Sequence, residues 1–231
     1  MSADDYKKAA ARAAAHYVET GMTLGLGTGS TAAHFVAAIG EKVRNGLEIK
    51  AVPTSEDTAR KAIAAGIEII EPDETTVIDL AVDGADEADG YRQLIKGGGG
   101  ALLREKIVAA AAEKFVVIAD ASKRVAQLGA FALPVEIERF AFALTVRSVR
   151  ETLAALGYVD RDMRLRAGPE GPSFLSDGGN YILDCRLERI DDATELDKAL
   201  RAIPGVVETG LFIGLADEII LAGPGGIERI R

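Results

Sequence analysis

Short apolar runs alternating with helical patterns restrict the architecture of this chain more than any other feature. Met22 to Leu26, Leu47 to Val52, Ile67 to Ile70, Ile78 to Val82 and Phe115 to Ala119 each read as a buried strand. Helical patterns fall between them: Ala32 to Val43, then a helix capped by Thr54 or Ser55 that runs to Ala65 and stops at Gly66. A first helix is expected over Asp4 to Val18, with Gly21 as its stop. Repeated strand and helix predict a parallel sheet covered on both faces. Open sheets of this kind bind ligands at the carboxyl ends of their strands. The residues that follow each apolar run are therefore the first candidates for function.

The richest of these follows Ile78 to Val82. From Asp83 to Lys106 the chain reads D-G-A-D-E-A-D-G-Y-R-Q-L-I-K-G-G-G-G-A-L-L-R-E-K, expected as a strand end, a loop and a helix start. Asp83 and Asp86 fall where the strand ends. After Lys96, the glycines Gly97 to Gly100 let backbone N–H groups approach a ligand closely before a helix begins at Ala101. Glu105 lies about one turn into that helix.

A second glycine loop follows the first strand: G-L-G-T-G-S-T-A at residues 25 to 32. Strand, glycine loop and helix start together form an anion site, because unpaired N–H groups and the positive helix end meet there. Thr28, Ser30 and Thr31 add hydroxyls, and Gly29 frees the backbone. The spacing G-x-G-x-G misses both the dinucleotide and the Walker fingerprints, so the loop suits a single phosphate. After Val116 to Ala119, D-A-S-K places Lys123 just past a strand end, and Lys7 is on the first helix.

The texture changes near Phe131. Strands are expected at Phe131 to Ile137, Met163 to Ala167, Tyr181 to Leu187 and Val206 to Ile213, with helices at Thr145 to Leu156 and Ala193 to Ile203. That β-α-β-β-α-β order is the ferredoxin-like split unit. The tail D-E-I-I-L-A-G-P-G-G-I-E-R-I supplies at least one more strand, returning to the first sheet. The expected fold is thus α/β: an open-sheet domain over 1–130 completed by 207–231, with a smaller α+β domain over 131–206 inserted before the C-terminal strands. Gly168 to Gly179, rich in Gly, Pro and Ser, is expected to be the flexible loop.

A net charge of −9 and a pI near 4.9 argue against a nucleic-acid surface. An anionic substrate would need local capture by backbone N–H groups and a few placed cations. No apolar run is long enough for a membrane helix, and the polar, acidic start does not resemble a signal peptide, so the cytoplasm is expected. One cysteine, Cys185, and two histidines, His16 and His34, leave no soft-ligand metal set. No cofactor or metal is expected. The histidines lie in alanine-rich helices and read as packing or surface groups; Cys185 reads as a small buried hydrophobe.

A carboxylate base near a phosphate loop, with acids and a lysine at hand, suits proton abstraction beside a carbonyl of a sugar phosphate. Glu105 is the candidate base. Lys96 and the glycine backbone would stabilise an enediolate oxygen, while Asp83 and Asp86 would manage hydroxyl protons. On the residues alone, Glu105 also reads as a charge complementing a helix dipole, and the two aspartates as turn caps. Their D-x-x-D-x-x-D-G spacing does not fit a calcium loop.

These segments also carry a family likeness. G-x-G-T-G-S-T-A at 25–32, V-D-G-A-D-E at 82–87, K-G-G-G-x-A-L-x-R-E-K at 96–106 and I-A-D-x-S-K at 118–123 occur in the order found in A-type ribose-5-phosphate isomerases. The chain resembles that family over nearly its whole length; the run after Leu215 departs from the pattern. The resemblance implies a Rossmann-like main domain with a ferredoxin-like domain, and a homodimer or homotetramer. It implies metal-free interconversion of D-ribose 5-phosphate and D-ribulose 5-phosphate in the pentose phosphate pathway. Glu105 would be the proton acceptor, with Thr28, Gly29, Ser30, Thr31, Asp83, Gly84, Ala85, Asp86, Lys96, Gly97, Gly98, Gly99 and Lys123 contacting substrate, joined by Lys7. Lactonases and amino-sugar deaminases of the same fold class are rivals, but they are expected to use a histidine that these motifs lack. A non-catalytic phosphosugar sensor is the other rival.

Overall fold

The computed structural model describes residues 1–168 and 173–231. In chain order the elements begin α1 (Ala3–Ala15), β1 (Thr23–Leu26), α2 (Ser30–Arg44), β2 (Lys50–Pro53), α3 (Glu56–Ala64), β3 (Glu68–Ile69), β4 (Leu80–Asp83), β5 (Glu87–Ala88) and β6 (Leu94–Ile95). They continue with α4 (Leu102–Ala111), β7 (Phe115–Asp120), a 3-10 turn at Ala121–Lys123, β8 (Leu133–Ile137), α5 (Phe142–Ala155), β9 (Met163–Leu165) and β10 (Tyr181–Cys185). The last are α6 (Ala193–Arg201), β11 (Val206–Thr209), β12 (Leu211–Phe212), β13 (Glu218–Gly223) and β14 (Gly226–Ile230).

The chain divides into two compact units, and neither is continuous in sequence. One comprises 1–85, 104–124 and 214–231, the other 86–103 and 125–213. This division differs from the expected cut at 130 and 207, because 86–103, 125–130 and 207–213 all fall with the second unit.

The first unit is built on a seven-stranded sheet ordered β14-β13-β7-β4-β1-β2-β3. All neighbours are parallel except β14, which turns back antiparallel on β13. Strand order runs outward from β1 in one direction and from β4 in the other, so β1 and β4 flank the point where it reverses. The crevice at the carboxyl ends of such a pair is where open sheets take ligands. Leu24, Leu26, Leu80, Val82, Val116 and Ile118 are buried with Phe35, Val36 and Ile39 of α2 and Ala10, Ala11 and Ala14 of α1. The alanines give α1 a narrow apolar face. Ser2 starts that helix in a reciprocal cap with Asp5.

The second unit contains a four-stranded antiparallel sheet ordered β11-β8-β10-β9, the order of a ferredoxin-like split unit. α5 and α6 bury Val149, Leu153, Leu196 and Leu200 against Leu133, Val135, Ile137, Leu183 and Cys185. A small sheet, β12-β6-β5, completes it.

Two expectations are corrected here. The strand expected over Val206 to Ile213 is two strands in different sheets, broken at Gly210. Gly210 N donates to Pro134 O at 2.7 Å and its carbonyl accepts from Lys96 N at 2.8 Å. A Cβ there would lie 2.4 Å from Lys96 O, so only glycine lets the chain change sheets at this crossing. The segment after Asp86, expected as loop, contains the hairpin of β5 and β6. In the loop expected to be flexible, Phe174 N bonds Arg166 O at 2.8 Å and Ser176 N bonds Asn180 O at 3.0 Å; Pro169–Pro172 lie outside the described residues. Among the described residues, no helix is long and apolar enough to cross a membrane.

Candidate active site

In the first unit the site is assembled at the reversal point. β1 runs into Gly27, and Gly27 N bonds Val82 O of β4 at 3.0 Å. β4 ends in Asp83, which is 3% exposed. Its Oδ1 accepts from Thr28 N at 3.1 Å and from Gly84 N at 2.7 Å. The carboxylate thus ties the end of β4 to the glycine loop after β1. A Cβ on Gly27 would lie 2.0 Å from that oxygen, which explains the glycine.

Gly29 begins α2 with φ +112, and no side chain caps this helix. α1, α3 and α6 all carry side-chain caps, from Ser2, Ser55 and Asp192. The open N-terminus of α2 instead has Lys7 Nζ of α1 bonded to Ser30 Oγ at 3.0 Å. A cation, a hydroxyl and uncapped N–H groups in one place are the groups with which a helix N-terminus can take an anion. Thr31 and Gly84 lie side by side, since a Cβ on Gly84 would be 3.8 Å from Thr31 Cβ. Ala85 follows, half-buried.

Thr28 differs from the expected ligand hydroxyl. Its Oγ1 turns inward to Thr54 Oγ1 and Ser55 Oγ, both at 2.8 Å, and Thr58 Oγ1 at 3.1 Å. Thr58 Oγ1 in turn donates to Gly27 O at 2.9 Å. This buried hydroxyl cluster fixes the loop from behind. Sequence reasoning missed it except for the Ser55 cap, because its members are spread over 31 positions. Glu105 is 4% exposed in the first turn of α4. Lys123 ends the 3-10 turn, which Asp120 caps through Ser122 N.

In the second unit the remaining candidates surround the other glycine run. Lys96 is 2% exposed, with its Nζ 5.3 Å above the Phe212 ring. Gly97 has φ +100, and a Cβ there would lie 3.0 Å from Leu102 Cβ. Asp86 Oδ2 accepts from Gly98 N at 2.7 Å, and a Cβ on Gly98 would meet that carboxylate at 2.6 Å. Gly98 and Gly99 are exposed. Arg166, which the sequence did not single out, bonds the same loop from the other side.

The histidines have the modest roles expected of them. His16 Nδ1 meets Arg12 O at 2.8 Å at the end of α1, and His34 Nε2 meets Asp4 at 2.8 Å. Cys185 is free and buried; burial pushes its thiol up to about 12. Among the described residues no group of three or more His, Cys, Asp or Glu is placed to hold a metal ion.

A parallel sheet whose strand order reverses, with an uncapped helix N-terminus, a lysine and a hydroxyl at the reversal point, is the arrangement of an α/β protein that takes an anionic ligand. Comparison with known proteins narrows this. The family described as ribose 5-phosphate isomerase A (phosphoriboisomerase A) matches residues 50–226. The chain is 55% identical over 231 residues to ribose-5-phosphate isomerase A of Rhodopseudomonas palustris strain BisB18, covering 100% of this chain and 99% of the relative. It is 53% identical to that of Parvibaculum lavamentivorans, with full coverage of both. Among solved structures, a D-ribose-5-phosphate isomerase in complex with phospho-erythronic acid superposes with a TM-score of 0.93 at 37% identity, covering 100% of each chain. The ribose 5-phosphate isomerase of Plasmodium falciparum gives 0.92 at 33% identity, covering 99% of this chain and 98% of that one. The chain belongs to the ribose 5-phosphate isomerase A family, and it is an isomerase.

Proposed function

We propose that this protein interconverts D-ribose 5-phosphate and D-ribulose 5-phosphate, with Glu105 as the base that moves a proton between C2 and C1. Full-length similarity to ribose-5-phosphate isomerases carries the reading. The residues supply a route. Glu105 takes the C2 proton of the open-chain aldose, electrons shift onto the C1 oxygen, and the enediolate is reprotonated at C1 by the same carboxyl group. Burial of Glu105 in the first turn of α4 shields that proton from bulk water between the two steps.

The phosphate is assigned to the N-terminus of α2 with Lys7, Gly29, Ser30 and Thr31, and Lys123 is assigned to the substrate as a further cation. Asp83 and Asp86 handle hydroxyl protons. Lys96 and the N–H groups of Gly97 to Gly99 stabilise the charge that builds on the enediolate. Gly84 and Ala85 line the substrate from the backbone, and Thr28 does so through its main chain only. The open-sheet region over 1–130, completed by 207–231, is read as the catalytic domain and the α+β region over 131–206 as its companion. A homodimer or homotetramer in the cytoplasm is the assembly that the family likeness suggests. Against a lactonase or deaminase, both histidines are engaged at α1 and neither belongs to the four motifs.

The test follows ribulose 5-phosphate formation from ribose 5-phosphate in EDTA for wild type and Glu105→Gln. Wild type should turn over, and the variant should lose about a hundredfold or more in kcat, the usual contribution of a general base. Binding without conversion by the wild type would replace the isomerase with a phosphosugar sensor. An active Glu105→Gln would move the base to Asp83 or Asp86.

A further inference from the structure

We propose that Arg166 is a positioning residue that aims the N–H donors of the Gly97 to Gly99 loop, and that Asp184 holds it in place for this purpose. The proposal rests on the isomerase reading above. Arg166 follows β9, and Asp184 is on the neighbouring strand β10. The guanidinium grips Asp184 through two bonds, Nε to Oδ2 at 3.0 Å and Nη2 to Oδ1 at 2.6 Å. Its remaining nitrogen, Nη1, donates to Gly97 O at 2.8 Å and to Gly98 O at 3.1 Å. The Phe174 ring, 5.8 Å from the guanidinium carbon, limits its freedom, and the same ring fills the space a Cβ on Gly100 would need.

Peptide planarity turns these contacts into a directional device. In a trans peptide the C=O and the following N–H point to opposite sides. With the Gly97 carbonyl on Arg166, the Gly98 N–H is turned the other way, where Asp86 accepts it at 2.7 Å. With the Gly98 carbonyl on Arg166, the Gly99 N–H is likewise turned away from the arginine, at an exposed residue. The first of these peptides is also held by Gly100 N on the Gly97 carbonyl at 3.0 Å and by Asp86, whereas the peptide between Gly98 and Gly99, flanked by glycines, would turn easily without the arginine. Arg166 therefore fixes the orientation of a donor that the mechanism assigns to the enediolate, from behind and without touching substrate. Only a forked cation can hold Asp184 with two nitrogens and the loop with a third; lysine offers one point.

The experiment compares wild type, Arg166→Lys, Arg166→Met and Asp184→Asn by steady-state kinetics with ribose 5-phosphate, and by amide NMR of Gly98 and Gly99. Inhibition by phospho-erythronic acid is measured alongside. A donor matched to developing charge acts on kcat. Removing such a donor outright typically costs a hundredfold or more, so misaiming it should lower kcat about ten- to a hundredfold in both Arg166 variants. KM should stay within about threefold. Asp184→Asn should fall between these variants and wild type, and the Gly98 and Gly99 amide signals should move in all three. Loss of melting temperature with kcat unchanged would mark Arg166 as merely structural and overturn the proposal. So would unmoved amide signals. A wild type that does not turn over sinks the isomerase reading and this role with it, whereas an active wild type with fully active variants sinks this role alone.

Discussion

Replacing Gly27 with alanine tests how Asp83 is held. The new methyl carbon would lie 2.0 Å from Asp83 Oδ1 and 2.1 Å from its Cγ, whereas carbons at such positions do not come closer than 3.0 Å. The carboxylate must then retreat by about 1 Å or the loop must swing out. Either movement stretches the bonds from Thr28 N and Gly84 N to that oxygen. A hydrogen bond to a charged group contributes about 1.5–3 kcal/mol, and a methyl forced into packed space costs about 1–3 kcal/mol. Losing one bond and accepting the crowding comes to about 2.5–6 kcal/mol, a large share of the roughly 5–15 kcal/mol that stabilises a typical protein. Gly84→Ala is the control. Its new Cβ would meet nothing closer than 3.8 Å, so stability should stay within about 0.5 kcal/mol of wild type. Urea unfolding followed by circular dichroism reads both variants on one scale. If Gly27→Ala unfolds within about 1 kcal/mol of wild type, the crowding argument is wrong and Asp83 has room that the geometry denies it.

Two further outcomes can be checked in the same preparations. Burial would raise the Glu218 carboxyl, but hydrogen bonds from Arg229 and Tyr17 and the nearby Arg231 hold it below its ordinary 4.5. A depressed folded-state value stabilises the protein above about 4.5 and loses that stabilisation as pH falls further. Melting temperature should therefore drop more steeply below that pH in wild type than in Glu218→Gln, and equal slopes would remove Glu218 from the account. Cys185, with its thiol pushed up to about 12 and fully buried, should react with a thiol reagent at pH 8 only as fast as the protein opens, and immediately in denaturant. A fast reaction in the folded protein would contradict that burial.

What was legible in the sequence was what repeats or what carries charge on glycine. The parallel sheet followed from five apolar runs, and the crevice from glycines and acids that follow two of them. Asp83 and the glycine loop at 25–32 were visible because a carboxylate ends one strand and a side-chain-poor loop ends its neighbour. Hidden features were those whose partners are far apart in the chain. Thr28 seemed a ligand hydroxyl because Thr54 and Thr58, which claim it, carry no local signal. Arg166 drew no notice, since nothing near it in sequence points to Gly97, 69 positions earlier. The hairpin of β5 and β6 is two residues per strand, too short for any period to register. Gly210 breaks a run rich in β-branched and apolar residues that reads as one strand, because the crossing with Lys96 and Pro134 exists only after folding.

The interleaving of the two units bears on how such a chain can be made and divided. Moving along it, synthesis leaves the first unit after residue 85, re-enters it at 104, leaves again after 124 and returns at 214. β7 gains its outer neighbour β13 only when that last segment appears, so the edge of the central sheet stays open while about ninety residues are still to come. Pairing across so long a separation makes folding slow, because the loop must close before the contact rewards it. For the same reason any single break between residues 86 and 213 leaves both units incomplete. The two halves can be varied, but neither can be shed or exchanged by one cut in the gene.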